Sequence, residues 1–340
     1  MILDLRSDTV TKPTSEMLEA MFQAEVGDDV FDEDPTVKKL EQKVANLFGH
    51  ESALFCPSGT MTNQIAIRIS TEPQDEIICD HRSHIYRYEG GGVANNSLVS
   101  LRFIDGDRGR ITADQIEENI NPDDIHFPKT ALVSLENTVN KGGGCYYKLD
   151  QVKEVRKSCD IHHLKLHLDG ARLFNALVET QDQPNEWGKQ FDTISVCLSK
   201  GLGAPIGSLI VSSKENIKKA KRVRKVFGGG MRQVGYLAAA GVYALDYHVY
   251  RLKEDHTRAK EIGKILENHP LVKSVMPVDT NIVIFTTIDE LDASQMLQKL
   301  ESVGIKAVPF GKKEVRLVTH LDFTDDMLQL FKESIGKISS

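Results

Sequence analysis

Ile194-Ser195-Val196-Cys197-Leu198-Ser199-Lys200-Gly201-Leu202-Gly203-Ala204-Pro205 is the stretch on which the reading of this chain turns. A β-branched, apolar run ends in a lysine, and a glycine-rich turn follows. A lysine at a strand end ordinarily points into water. Desolvation and neighbouring cations can instead draw its pKa down and make the amine a nucleophile toward aldehydes. Upstream, His163-Leu164-Lys165-Leu166-His167-Leu168-Asp169-Gly170-Ala171-Arg172 alternates apolar and polar residues through Leu168, as a strand does, and then delivers an acid, a glycine and an arginine. Asp169 and Lys200 therefore fall at the carboxyl ends of two strands about 30 residues apart, the length of a strand–helix–strand unit. Open α/β sheets bind their ligands along that edge.

A third element precedes these two. In Ala53-Leu54-Phe55-Cys56-Pro57-Ser58-Gly59-Thr60-Met61-Thr62-Asn63-Gln64 a short apolar strand runs into Ser-Gly-Thr and then into a helix-compatible segment. Free amides at a helix start, with the hydroxyls of Ser58 and Thr60 and a close approach allowed by Gly59, suit a phosphate. The same three residues also suit an ordinary helix cap. A phosphate cup, an acid and a lysine, each after a strand, are what pyridoxal phosphate requires. The lysine holds its aldehyde, and the acid keeps its ring nitrogen protonated so that the ring accepts electrons.

With those motifs in order, the chain resembles the threonine aldolase family of fold-type-I pyridoxal phosphate enzymes. The resemblance spans nearly the whole length. It includes Asp4-Leu5-Arg6-Ser7-Asp8-Thr9-Val10-Thr11, Val26-Gly27-Asp28-Asp29-Val30, Ser83-His84-Ile85-Tyr86, Gly229-Gly230-Met231-Arg232-Gln233 and Val315-Arg316-Leu317-Val318-Thr319-His320. It implies retro-aldol cleavage of L-threonine, L-allo-threonine or a related β-hydroxy-α-amino acid to glycine and an aldehyde. In that family Lys200 would carry the cofactor, Asp169 would meet its ring nitrogen, Arg172 its phenolic oxygen, and His84 would stack on the ring. Ser58, Gly59, Thr60 and Arg232 would serve the phosphate, Arg232 from a neighbouring subunit. Ser7 and Arg316, with Arg172, would grip the substrate carboxylate. A homotetramer built from dimers is also implied.

The chain departs from the family at two places. Val139 stands in Leu135-Glu136-Asn137-Thr138-Val139-Asn140 where the family has histidine, and Phe31-Asp32 stand where it has tyrosine and glycine. Both departures are expected at the substrate end, where loss of a polar reader relaxes selectivity. Two other functions stay open: a fold-type-I lyase that eliminates a β-substituent, and a catalytically silent protein that keeps the fold.

Composition narrows the classes. At 340 residues the chain exceeds a single core, and 40% hydrophobic with 27% charged residues is ordinary for a globular protein. We expect a large domain over 15–250 with a mostly parallel sheet and a smaller α/β domain over 251–340, the segment 1–14 contributing to the active site. A net charge of −7 argues against nucleic acid. The basic run Lys214–Lys225, with Ile217, Ala220, Val223 and Val226 interleaved, reads as one amphipathic helix. No stretch has the length of a membrane span, and the first residues do not resemble a signal peptide, so the cytoplasm is the expected location. Five cysteines without a C-x-x-C indicate neither disulfides nor zinc, and His162, His163 and His167 do not form a ligand set. The Gly207–Val211 strand follows Lys200 too closely for a parallel crossover, so it is expected to be antiparallel.

Overall fold

The computed structural model describes residues 2–338. Seven strands form its main sheet: β1 Ser52–Cys56, β2 Glu76–Asp80, β3 Ser100–Ile104, β4 Thr130–Glu136, β5 Lys165–Gly170, β6 Thr193–Cys197 and β7 Ser208–Ser212. Their order is β1-β7-β6-β5-β4-β2-β3. The pairs β3/β2, β2/β4, β4/β5 and β5/β6 are parallel. Strand β7 runs antiparallel to both neighbours, as its short connection from Lys200 requires. All residues of β2, β4, β6 and β7 are buried, which is the pattern of a parallel sheet covered on both faces by helices.

The first long helix, Pro35–Phe48, shows why local sequence produces these covers. The Asp34 carboxylate accepts the backbone N–H of Thr36 at 3.1 Å and of Val37 at 3.0 Å. Pro35 occupies the first helical position, where a missing N–H costs nothing, and Gly49 ends the helix at φ 68°. Its buried face, Val37, Leu40, Val44 and Phe48, recurs at helical spacing. The basic helix spans Lys214–Val226 and buries Ile217 and Ala220, but Val226 lies in solvent rather than on the apolar face.

A second sheet, antiparallel, has the order Val308–Pro309, Glu314–Val318, Ile282–Thr287, Val272–Val275. Helices Leu252–Glu267, Ala293–Ser302 and Asp325–Ile335 complete this part of the chain. The apolar side chains gather accordingly into two large cores. One contains residues from Met17 to Leu252, and the other joins residues from Ala259 to Ile338 with Leu3 and Leu5. The amino-terminal segment is stitched into the second core. Leu3–Asp4 pairs in parallel with Ile305–Lys306, and Val318 N–H donates to Leu5 O at 2.8 Å. Residues 6–11 are thereby carried across to the carboxyl edge of the main sheet. All five cysteines are free and buried.

Candidate active site

Strands β4 and β5 are in register so that Glu136 stands opposite Asp169, and Asp169 in turn stands opposite Ser195 of β6. The ends of these strands open onto a cavity of about 380 Å³ lined by Ser7, Thr9, His84, Tyr88, Glu136, Asn140, Ala171, Arg172, Lys200, Val308, Pro309, Phe310 and Arg316. Five residues singled out in the sequence therefore meet in one place: Ser7, His84, Arg172, Lys200 and Arg316. Asp169 is buried beside them and accepts N–H groups from Asn63 at 2.9 Å and from the Ala171 backbone at 3.1 Å.

The Lys200 amine donates to Cys197 Sγ at 3.6 Å. Burial pushes that thiol up, but the Lys200 charge and neighbouring hydroxyls outweigh it and the Cys197 pKa falls below its ordinary value. Arg172 is held by Asp8, which accepts from Nε and from Nη2, both at 2.7 Å. Burial opposes the Asp8 charge, yet Arg172, with Lys200 and the Asn281 amide behind it, holds this carboxyl well below the usual carboxylate range. Two of the three Arg172 nitrogens are thus already engaged.

Arg316 is different. Its Nη1 donates to Asn140 Oδ1 at 2.7 Å and its Nη2 to the Arg6 carbonyl at 3.1 Å, while its buried Nε has no partner. Among the described residues it forms no ion pair with a carboxylate, and burial together with Arg172 pulls its pKa down to about 10. Phe310 stacks beside it, the guanidinium carbon 5.1 Å from the ring centre. A part-buried guanidinium without a carboxylate partner in the wall of a cavity is suited to a carboxylate arriving from outside.

His84 begins a short helix, and its Nδ1 lies 2.9 Å from Glu89 Oε1. Burial works against its charge, but the Glu89 hydrogen bond, with Asp169 and Glu136 nearby, carries the imidazole pKa above its ordinary value. Glu136 accepts the backbone N–H of His84 and of Asn140, each at 2.8 Å. Burial and the neighbouring Asp169 push Glu136 up to about 7.

Other expected residues lie elsewhere. Ser58 caps helix Gly59–Ser70, its hydroxyl accepting from Met61 N–H at 3.2 Å, and Ser58 and Thr60 are exposed. A Cβ on Gly59 would lie 3.6 Å from Ser208 Oγ, and Ser208 pairs in register with Cys197, so the cup adjoins the lysine without lining its cavity. Arg232 is not brought to this cavity within one chain. It donates to Asp28 at 2.9 Å and lies over the Phe31 ring, which is 70% exposed. Asp32, in the left-handed region at φ 61°, ends that same surface turn. Val139 also departs from expectation. It is buried, and a Cβ on Gly109 would stand 2.6 Å from its Cγ1. It packs on that glycine rather than lining the cavity, and the wall is made instead by Glu136, Asn140 and Phe310.

A sequence profile of the family described as Beta-eliminating lyase matches residues 4–290. The chain belongs to the beta-eliminating lyase family. Within it, the chain is 43% identical over 330 residues to the low specificity L-threonine aldolase of Escherichia coli strain K12, covering 96% of each protein. It is 40% identical over 329 residues to low-specificity L-threonine aldolase 1 of Arabidopsis thaliana, covering 95% of this chain and 92% of that one. Among solved structures, Leishmania major threonine aldolase superposes with a TM-score of 0.83 at 21% identity, over 98% of this chain and 99% of the other. An aspartate aminotransferase from Rhizobium meliloti gives 0.72 at 18% identity, over 99% and 91%. The fold is that of the fold-type-I pyridoxal phosphate enzymes.

This family of lyases uses pyridoxal phosphate, and the residues present suit it. A lysine amine, a buried carboxylate at the next strand end and an open helix start with two hydroxyls supply one partner each for an aldehyde, a ring nitrogen and a phosphate.

Proposed function

We propose that the protein is an aldolase that cleaves L-threonine, L-allo-threonine or a related β-hydroxy-α-amino acid to glycine and an aldehyde. The observation that carries this reading is Arg316, a part-buried guanidinium that forms no ion pair with a carboxylate among the described residues, in one cavity with Lys200. The threonine aldolases that match the chain at 40–43% identity support it. Pyridoxal phosphate, when bound, supplies the sink for the electron pair left on Cα as the Cα–Cβ bond breaks.

This chain's own residues determine which bond that is. Arg316 and Ser7 hold the substrate carboxylate, and Asn140 and Phe310 keep the guanidinium in place. Fixing the carboxylate fixes the rotation about Cα, and so selects the bond that is aligned for cleavage; such positioning is worth several kcal/mol of barrier. Arg172, locked by Asp8, presents its remaining donor at a fixed place. His84 Nδ1 is committed to Glu89, which leaves Nε2 to take the β-hydroxyl proton. Lys200 would carry the cofactor and Asp169 would meet its ring nitrogen.

Assembly is also part of the proposal. Phe31, Arg232 and the Ser58–Thr60 cup all lie on the surface of a single chain, which suits a homotetramer in which a second chain completes each site. The free cysteines suit the cytoplasm, a reducing compartment. The two apolar cores support a division into 15–250 and 251–340, with 1–14 reaching into the site.

The test is to incubate the purified protein and pyridoxal phosphate separately with L-threonine, L-allo-threonine and L-phenylserine, and to measure glycine and aldehyde. Equal amounts of glycine and aldehyde are expected, and they should be lost in Lys200→Ala. Ammonia with a keto acid from these or from β-substituted amino acids would identify an eliminating lyase instead. A protein that takes up the cofactor and cleaves none of the three would overturn the aldolase reading.

A further inference from the structure

Beneath the cavity, Asn63 of helix Gly59–Ser70 is buried between two acids. Its amide nitrogen donates to Glu89 Oε1 at 2.8 Å and to Asp169 Oδ2 at 2.9 Å, and its oxygen lies 3.1 Å from His167 Nε2. An amide turned the other way would set its oxygen against both carboxylates, so the charges fix its orientation. With Asn63 so oriented, His167 Nε2 is the donor to its oxygen, while Nδ1 faces both Thr193 Oγ1 at 2.9 Å and the Thr193 carbonyl at 3.2 Å. Burial draws this imidazole down to about 4, so it stays neutral near pH 7 and donates to Asn63.

The acids need this arrangement. Ligand atoms of Asp169, Glu89 and His84 lie within 4.8 Å of one another. Two buried carboxylates at that range repel one another unless donors stand between them. Asn63 gives one hydrogen to each, and His84 gives a further one to Glu89. Glu136, in register with Asp169, adds a third acid that acts on the cluster, which makes the amide's two hydrogens the more necessary.

We propose that Asn63, aimed by His167, is a positioning residue that bridges Asp169 and Glu89, so that one amide sets both the ring-nitrogen contact and the stacked His84. The inference rests on the pyridoxal phosphate reading above and goes beyond it in naming what holds Asp169 ready. Without the amide the Asp169 carboxylate is no longer aimed at the ring nitrogen and holds the ring proton less firmly, which would make the nitrogen joining Lys200 to the cofactor more basic.

The experiment compares wild type, Asn63→Ala, His167→Leu and His167→Gln, each loaded with pyridoxal phosphate. It reads the pH midpoint of the cofactor's visible absorbance band, the cofactor dissociation constant, and kcat and KM for L-threonine. In Asn63→Ala and His167→Leu the midpoint should rise by about one pH unit. Cofactor binding should weaken and kcat should fall about tenfold or more, with KM changed much less because Arg316 is untouched. His167→Gln keeps a donor for Asn63 and should restore the midpoint. A residue that served only stability would lower the melting temperature and leave the midpoint at its wild-type value. If Asn63→Ala does not fold, His167→Leu makes the same test with Asn63 in place. Loaded Asn63→Ala and His167→Leu with an unchanged midpoint overturn the proposal. A band in the wild type without aldol cleavage overturns the aldolase alone, since the midpoints remain readable, whereas no band at all overturns both.

Discussion

Arg316 is a charge waiting for a counter-ion, and its removal should be felt mainly where the substrate carboxylate binds. Truncating one partner of a buried, hydrogen-bonded charge pair costs about 2–5 kcal/mol. We therefore expect Arg316→Ala to lower kcat/KM for L-threonine by about 100-fold or more, largely through KM, measured by steady-state aldehyde release. Arg316→Lys should recover little, because a point charge does not replace a planar fork. The His84 imidazole has its pKa raised, so it holds its proton to a higher pH than a free histidine and becomes a base only above that pH. The acidic limb of the kcat/KM profile should lie on the alkaline side of the ordinary imidazole range, and Glu89→Gln should move it down. A limb that does not move in Glu89→Gln would remove His84 as the base. Asp169 and Lys200 were legible as candidates from the chemistry of their own strand-end motifs, whereas Ser7, His84, Arg172 and Arg316 acquire their roles only through the family resemblance. Asp8 and Glu136 have no such signal: the Asp8 fork on Arg172 joins residues 164 apart in the chain, and Glu136 acts through the backbone amides of Asn140 in its own loop and of His84, 52 positions away. Val139 was misplaced because spacing along a loop does not reveal that its side chain turns toward Gly109.

Among the elements, helix Pro35–Phe48 carries a titration of its own. Glu41 accepts the Phe55 N–H at 2.8 Å through Oε1, and burial pushes its carboxyl up to about 7. A carboxyl whose folded pKa lies above its unfolded one adds stability at low pH that is lost as pH rises through the folded value. Glu41→Gln keeps an acceptor for Phe55 and removes the charge. It should melt at a higher temperature than wild type at pH 8 and close to wild type at pH 5; the reverse order would mean that the carboxylate is stabilising. This helix was legible end to end, since a cap, a first-turn proline, a periodic apolar face and a closing glycine agree. Strands Ser100–Ile104 and Val272–Val275 were not. Both lie at sheet edges, and one face or more is open to water, so neither has the apolar run by which the central strands were recognised.

At the scale of the whole molecule, composition carries no information on assembly, and the surface carries some. Light scattering should give a mass about four times the 37.9 kDa of one chain. A single-chain mass with full activity would exclude a site completed by a second subunit. The fold class was legible because the strand-end motifs follow in the order that a parallel sheet demands, and the antiparallel β7 because ten residues do not make a crossover. What the sequence did not reveal was the route of its first residues. The Arg6 carbonyl receives Arg316 Nη2 across 310 positions, and Leu3 and Leu5 find their places only beside Ile305 and Val318. The segment that carries Arg6 must therefore wait for Arg316, 310 positions further along the chain. Until the two meet, the proposed carboxylate clamp stays open, however well the central sheet has formed. The contact that closes the site also spans one of the longest loops in the chain, and during refolding activity should return after the bulk of the helical signal.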